Sequence, residues 1–231
     1  MDRTAPAHST FWDGVRAAAP VMLGYVPIGF AFGVLARGAG LSVAEIGLMS
    51  LLVYAGSSQF IGAGLIAAGT ATPLIISTTF LVNLRHLLMS TALVPSMRRN
   101  RPWQNALLAY GITDETFAVN IGVLKGAPAA PSFVAGLHVL SQASWVLATV
   151  VGALTGHLAA DTEALGLDFA LPAMFVGLLV PNLRGEERNA RVVAALVAGG
   201  AALTVAVLFP GSTWSIILAT LVGATVGVML R

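Results

Sequence analysis

Three ionisable side chains stand in the middle of long apolar runs: Arg85 within residues 73–95, and the adjacent pair Asp114 and Glu115 within 104–124. At the centre of a membrane-spanning helix such a charge costs about 2.5–3.5 kcal/mol even on the mildest scale, so each must face protein or water. If both runs cross a bilayer squarely, the three groups share one depth. Arg85 then pairs with one of the two acids, either as a staple that fixes helix register or as part of a pathway. Neighbouring residues on a helix point about 100° apart, so Asp114 and Glu115 cannot both pair with one Arg. At least one of them must be solvated, protonated or bound to something else, which makes His86, Asp114 and Glu115 the candidates for carrying a proton. A turn at Gly111, Thr113 and Asp114, with Asp114 capping a half-helix, is the alternative reading of that stretch.

Neutral polar residues gather at the same depth. Tyr54-Ala55-Gly56-Ser57-Ser58-Gln59-Phe60 interrupts residues 45–69, and Asn83 and His86 flank Arg85. Such a stretch either packs helices closely through Gly56 and Ser57, with Gln59 bonding a neighbour's backbone, or opens the backbone to a small polar solute. His138, Ser141, Gln142 and Trp145, at spacings of three, four and seven, form one helix face that reads as a wet or protein-facing stripe. Gly29 with Gly33, Gly152 with Gly156, and Gly223 with Gly227 are spaced for close helix packing.

The elements that must position these groups are membrane helices. Of 231 residues 57% are hydrophobic and 10% charged, with a mean hydropathy of +0.85; water-soluble domains carry about 25% charge. The pattern predicts an all-α polytopic membrane protein, a single transmembrane domain over 1–231 with an interfacial lead-in at 1–19. Eight apolar segments are expected, at about 20–36, 45–69, 73–95, 104–124, 133–156, 169–182, 190–209 and 213–230, most of them long enough to cross. The lead-in has Thr10 and Asp13 spaced for a capping box. Segment one carries Pro20, Gly24, Pro27, Gly29 and Gly33, and segment six carries Pro172, Gly177 and Pro181, so both are candidates for broken or re-entrant helices.

Charge parity points the same way. Arg3 and Arg16, then Arg98, Arg99 and Arg101, then Arg184, Arg188 and Arg191 all belong on the cytoplasmic side by the positive-inside rule. Three apolar segments separate consecutive clusters, so one segment in each group must fail to cross. Segments one and six are the expected choices, although a re-entrant hairpin elsewhere satisfies the count equally well. Paired broken segments suggest the inverted repeats of secondary transporters. The only sequence echo between halves is Pro27-Ile28-Gly29-Phe30 in Pro172-Ala173-Met174-Phe175, too loose to define a repeat.

Other classes are excluded by what the chain contains. The net charge of +2 comes from scattered Arg without interleaved basic and aromatic runs, so nucleic acid is not an expected partner. Zero cysteines exclude disulfides and thiolate chemistry, and His8, His86, His138 and His157 lack metal-ligand spacing. No metal or other cofactor is expected. The N-terminus carries Asp2 and Asp13 and does not read as a removable signal peptide.

Pro27-Ile28-Gly29-Phe30 with Phe32-Gly33, Tyr54 to Phe60, Asn83-Leu84-Arg85-His86 with Met89, and Thr113-Asp114-Glu115, in this order, resemble the AzlC family, the large subunit of bacterial branched-chain amino acid exporters. The motifs cover about residues 20–120; the second half matches by length and span pattern. The resemblance implies export of valine, leucine and isoleucine across the bacterial inner membrane, together with a small AzlD-type membrane subunit. It implies no enzyme activity. A zwitterionic amino acid needs a donor for its carboxylate, an acceptor for its ammonium and apolar space for its side chain. Half-helix ends near Pro27 and Gly29, with Arg85 or Gln59, are candidates for the carboxylate. Asp114 or Glu115 suits the ammonium, Phe30, Phe60 and Phe117 would wall the aliphatic group, and Tyr54, Ser57, Ser58 and Asn83 would line the site. Methionine fits the same adaptable space. With no nucleotide-binding loop in the sequence, the expected energy source is the proton gradient. Two rival readings remain: a channel or assembly subunit whose polar layer only binds helices together, and an intramembrane hydrolase using Ser57 or Ser58 with His138.

Overall fold

A computed structural model of the chain describes residues 10–124, 127–156 and 188–208, together with positions 222, 225, 226 and 229. Every regular element among them is helical. We number them α1 (Phe11–Ala17), α2 (Ala19–Gly38), α3 (Val43–Leu52), α4 (Gly56–Ala67), α5 (Thr72–Met97), α6 (Pro102–Tyr110), α7 (Asp114–Leu124), α8 (Pro131–Thr155) and α9 (Arg188–Leu208). Residues 1–172 and 173–231 form two compact units; α1 to α8 belong to the first and α9 to the second. Segment six, most of segment eight, Gly223 with Gly227, and Arg3 and Arg184 lie outside the described residues.

Among the described residues three helices, α2, α5 and α8, are long and apolar enough to cross a membrane. The chain is therefore an all-α, multi-pass membrane protein. The starts of the helices are written in the sequence. Thr10 and Asp13 close a capping box ahead of α1 and Ser42 and Glu45 close another ahead of α3, while Pro at the first or second position opens α5, α6 and α8.

Segment one is not broken. α2 runs for 20 residues straight through Pro27, because the neighbouring helix holds its glycine face. β-carbons added at Gly33 and Gly152 would collide with the carbonyl oxygens of Thr149 and Phe30, and one at Gly29 would sit 3.0 Å from the Ala148 β-carbon. The first two of the small-residue pairs thus pack against each other, and α2 and α8 run parallel, with 29 beside 145–148 and 34 beside 156. α1 continues the seam at the other end, where Gly14 meets Phe133 and Gly136 meets Phe11. Loss of the single hydrogen bond that Pro27 cannot donate is outweighed by this continuous contact.

The interruptions fall in segments two and four instead, and both are hairpins. α3 runs antiparallel to α8, from Gly47 beside Val150 to the Leu51 carbonyl beside Gln142. The chain turns at Tyr54, whose φ of 43° is the left-handed conformation, and α4 returns, with Gln59 against Ser50 and Gly62 against Met49. α4 also descends along α5, from Ser57 at Arg85 to Gly62 at Thr79. The second hairpin comes from the other end. α6 leaves the end of α5, where Asn105 donates to the Met97 carbonyl, and reaches Gln142 with Tyr110. After a turn at 111–113, α7 returns past His138 with Asn120, and the Ala129 N–H donates to the Ser96 carbonyl, back at the end of α5. Each hairpin has its own core: Tyr25, Phe32, Ile46, Phe60 and Trp145 for the first, and Leu93, Met97, Leu108, Leu124 and Phe133 for the second. The arms of 9 to 12 residues are about 14–18 Å long at 1.5 Å per residue, half the thickness of a hydrocarbon core.

Candidate functional site

The tips of the two hairpins meet midway along α5 and α8. A helix that stops inside a protein leaves carbonyls and N–H groups without partners, and these must be satisfied locally. At the first tip Gln59 does this. Its side-chain oxygen accepts from the Ala55 N–H at 3.2 Å and from the Trp145 indole at 3.0 Å, and its amide donates to Ser50 Oγ at 3.1 Å. Gln59 has 0% exposure, so its polar atoms are engaged in holding the turn. Ser58 Oγ donates to the Ala55 carbonyl at 2.9 Å in the same turn. The Leu51 carbonyl, exposed by the end of α3, accepts from Gln142 Nε2 at 3.0 Å.

At the second tip the cap is Thr113, rather than Asp114. Its N–H donates to Thr116 Oγ1 at 2.8 Å and its Oγ1 accepts from the Thr116 N–H at 3.3 Å, while Thr116 Oγ1 donates to the Gly111 carbonyl at 2.9 Å. Asp114 and Glu115 therefore occupy the first turn of α7, where the helix dipole favours negative charge. Gly111 lies flat against His138, whose ring a β-carbon there would strike.

One guanidinium joins the tips. Arg85 Nη1 pairs with Asp114 Oδ2 at 2.9 Å, and Arg85 Nη2 donates to Ser57 Oγ. The Arg85 and Asp114 side chains are 25% and 24% exposed, so the pair is not sealed away. Glu115 has a different partner, the Tyr25 hydroxyl, which donates to Oε2 at 2.8 Å and lies 2.6 Å from Thr113 Oγ1. The two acids are thus divided between a cation and a neutral hydroxyl, as their angular separation requires.

The structure brings Tyr54, Ser57, Ser58, Gln59, Arg85, Asp114 and Glu115 into one layer. It does not bring Pro27, Gly29 and Phe30 there: no half-helix ends near Gly29, which is buried in the seam with α8. Asn83 and His86 stay on α5 beside Arg85, with His86 Nδ1 3.0 Å from the Asn83 carbonyl. Phe60 meets Phe32 edge-on in the first core, and Phe117 packs against the second. Neither Ser57 nor Ser58 pairs with His138, whose Nε2 meets Asn120 at 3.2 Å; the serine–histidine dyad is not assembled. The stripe of His138, Gln142 and Trp145 on α8 is the support for both tips, with Gln142 also donating to the Tyr110 hydroxyl at 2.8 Å. Sequence reasoning passed over Tyr25. The signal was available: a phenol in an otherwise apolar span needs a partner for its hydroxyl.

These features define a multi-pass membrane protein with two facing helical hairpins and an ionic bridge between their tips. The chain belongs to the AzlC protein family, whose match covers residues 20–159. It is 33% identical to the inner membrane protein YgaZ of Escherichia coli over 87% of this chain and 84% of that one. An uncharacterized membrane protein of Archaeoglobus fulgidus is 35% identical, covering 92% of each chain. The branched-chain amino acid transport protein AzlC of Bacillus subtilis is 26% identical over 90% of this chain and 82% of that one. No solved structure matches it.

Proposed function

We propose that this chain is a secondary transporter that exports valine, leucine and isoleucine, and methionine with them, across the bacterial inner membrane, driven by protons. The relatives named for the inner membrane and for branched-chain amino acid transport support this reading. The observation that carries it is the Arg85 bridge between the hairpin tips. A zwitterion entering there finds the guanidinium, Ser57 and the N-terminal end of α4 for its carboxylate, and the Asp114 carboxylate for its ammonium. By exchanging the Arg85–Asp114 pair for two pairs with the substrate, the site changes partners without leaving a charge unpaired in a low-dielectric layer.

In this reading residues 1–231 act as one transporter domain, partnered by a small AzlD-type membrane subunit. The two hairpins are the re-entrant segments. The first enters from the end carrying Arg37 and the second from the end carrying Arg16, Arg98, Arg99 and Arg101, so the latter end is cytoplasmic by the positive-inside rule. Radiolabelled valine counterflow in proteoliposomes holding the chain and its small subunit tests the function. Saturable exchange that Arg85→Lys reduces at least about tenfold is expected, and absence of exchange in the unaltered protein refutes it.

A further inference from the structure

The structure divides three candidate proton carriers by their surroundings. Asp114 faces the Arg85 guanidinium at 2.9 Å and is committed to that ion pair. His86 is turned to the Asn83 carbonyl of its own helix. Glu115 alone among the three is held by a neutral side chain, the Tyr25 hydroxyl. A carboxylate in a membrane interior without a cation against it is the charge most readily removed by protonation.

Resting on the transporter reading, we infer that Glu115 is the group that takes up and releases the coupled proton, and that Tyr25 relays its state to Thr113, the cap of the second hairpin tip. The hydrogen-bond chain has one direction when Glu115 is ionised. Tyr25 donates to Glu115 Oε2, and Thr113 Oγ1, at 2.6 Å from the Tyr25 oxygen, donates to Tyr25. When a proton binds Glu115 on Oε2, the acid hydrogen points to the Tyr25 oxygen and Tyr25 donates to Thr113 instead. The Thr113 hydrogen then turns to Thr116 Oγ1, 3.3 Å away, which itself donates to the Gly111 carbonyl. One proton enters, one negative charge disappears, and the hydroxyls of Tyr25 and Thr113 both reverse. Release of the proton restores the original direction.

The ionisable neighbours are compatible with this assignment. Tyr25 reaches Glu115 from α2, with the Tyr54 ring 6.4 Å from the Tyr25 ring at the first tip. Asp114 is the adjacent residue on α7, with Arg85 on it, and His86 follows Arg85 on α5. Tyr25 is also well placed to be replaced conservatively. Its ring packs edge-on against Trp145 at 5.1 Å, so Tyr25→Phe removes the hydroxyl and keeps the packing.

The test compares two assays in proteoliposomes holding the chain with its small subunit, using radiolabelled valine. Counterflow reads substrate exchange, and accumulation under an imposed pH gradient reads coupling. Glu115→Gln is expected to keep exchange within about threefold and to lose gradient-driven accumulation. Tyr25→Phe is expected to keep exchange within about threefold and to lose most of the gradient-driven accumulation, because the hydroxyl that carries the state of Glu115 to Thr113 is gone. Accumulation that survives Glu115→Gln overturns the assignment, as does loss of exchange, which makes Glu115 a substrate ligand. Gradient-driven accumulation in Tyr25→Phe equal to that of the unaltered protein overturns the relay. Failure of the unaltered protein to exchange valine refutes the transporter reading itself, a distinct outcome.

Discussion

Arg85 serves two partners because a guanidinium is a planar fork with several donors in fixed directions. Lysine at that position offers one ammonium and cannot span Ser57 and Asp114 in the same geometry, which is why Arg85→Lys is expected to impair exchange while leaving the folded protein in the membrane. Gln59 shows the opposite kind of importance. Replacing it with Leu removes the acceptor for Ala55 N–H and the Trp145 indole, and each buried donor left unpaired costs about 1–3 kcal/mol. Gln59→Leu is therefore expected to lose at least about 2 kcal/mol of stability, read as a lower midpoint of thermal unfolding in detergent. Gln59 and Arg85 stand in neighbouring motifs and look alike as polar residues in apolar runs. Only their partners separate a residue that holds a turn from one that links two turns.

Among the helices, the seam between α2 and α8 carries the scaffold. Gly33 and Gly24 lie on the same helix, yet a β-carbon at Gly33 strikes the Thr149 backbone and one at Gly24 meets nothing within 4 Å. Gly33→Ala is expected to cost about 3 kcal/mol or more, since a carbonyl cannot yield as a flexible side chain can. Gly24→Ala is expected to be neutral or stabilising by up to about 1 kcal/mol, as Ala forms helix better than Gly. Midpoints of thermal unfolding for the two variants check the pair. Pro27 and these glycines made segment one read as broken, because composition counts helix-weakening residues without knowing what packs on them. The hairpins formed where the cause was less conspicuous: Tyr54 in a left-handed conformation and the Gly111 to Thr113 turn.

At the scale of the molecule, opposed hairpins make a topological prediction. The loop after α2 and the loop after α4 should lie on one side of the membrane, and the loops after α5 and α7 on the other. The absence of native cysteine allows a direct check. Ala39→Cys and Ala68→Cys are expected to react with an impermeant maleimide from the same side, and Arg99→Cys and Ala127→Cys from the opposite, cytoplasmic side. If α3 with α4 crosses fully, Ala39→Cys and Ala68→Cys will label from different sides.

The sequence by itself determined the solvent of this protein and the helical class, because hydropathy acts on each segment independently of its neighbours. It also required the two acids of α7 to find separate partners, since helical geometry points adjacent residues apart. Which segments fold back, which acid meets Arg85 and which meets Tyr25 were decided only by tertiary packing. Those outcomes depend on surfaces far apart in the chain: a glycine seam that keeps α2 straight over a proline, and a stripe on α8 that satisfies the open backbone of two turns.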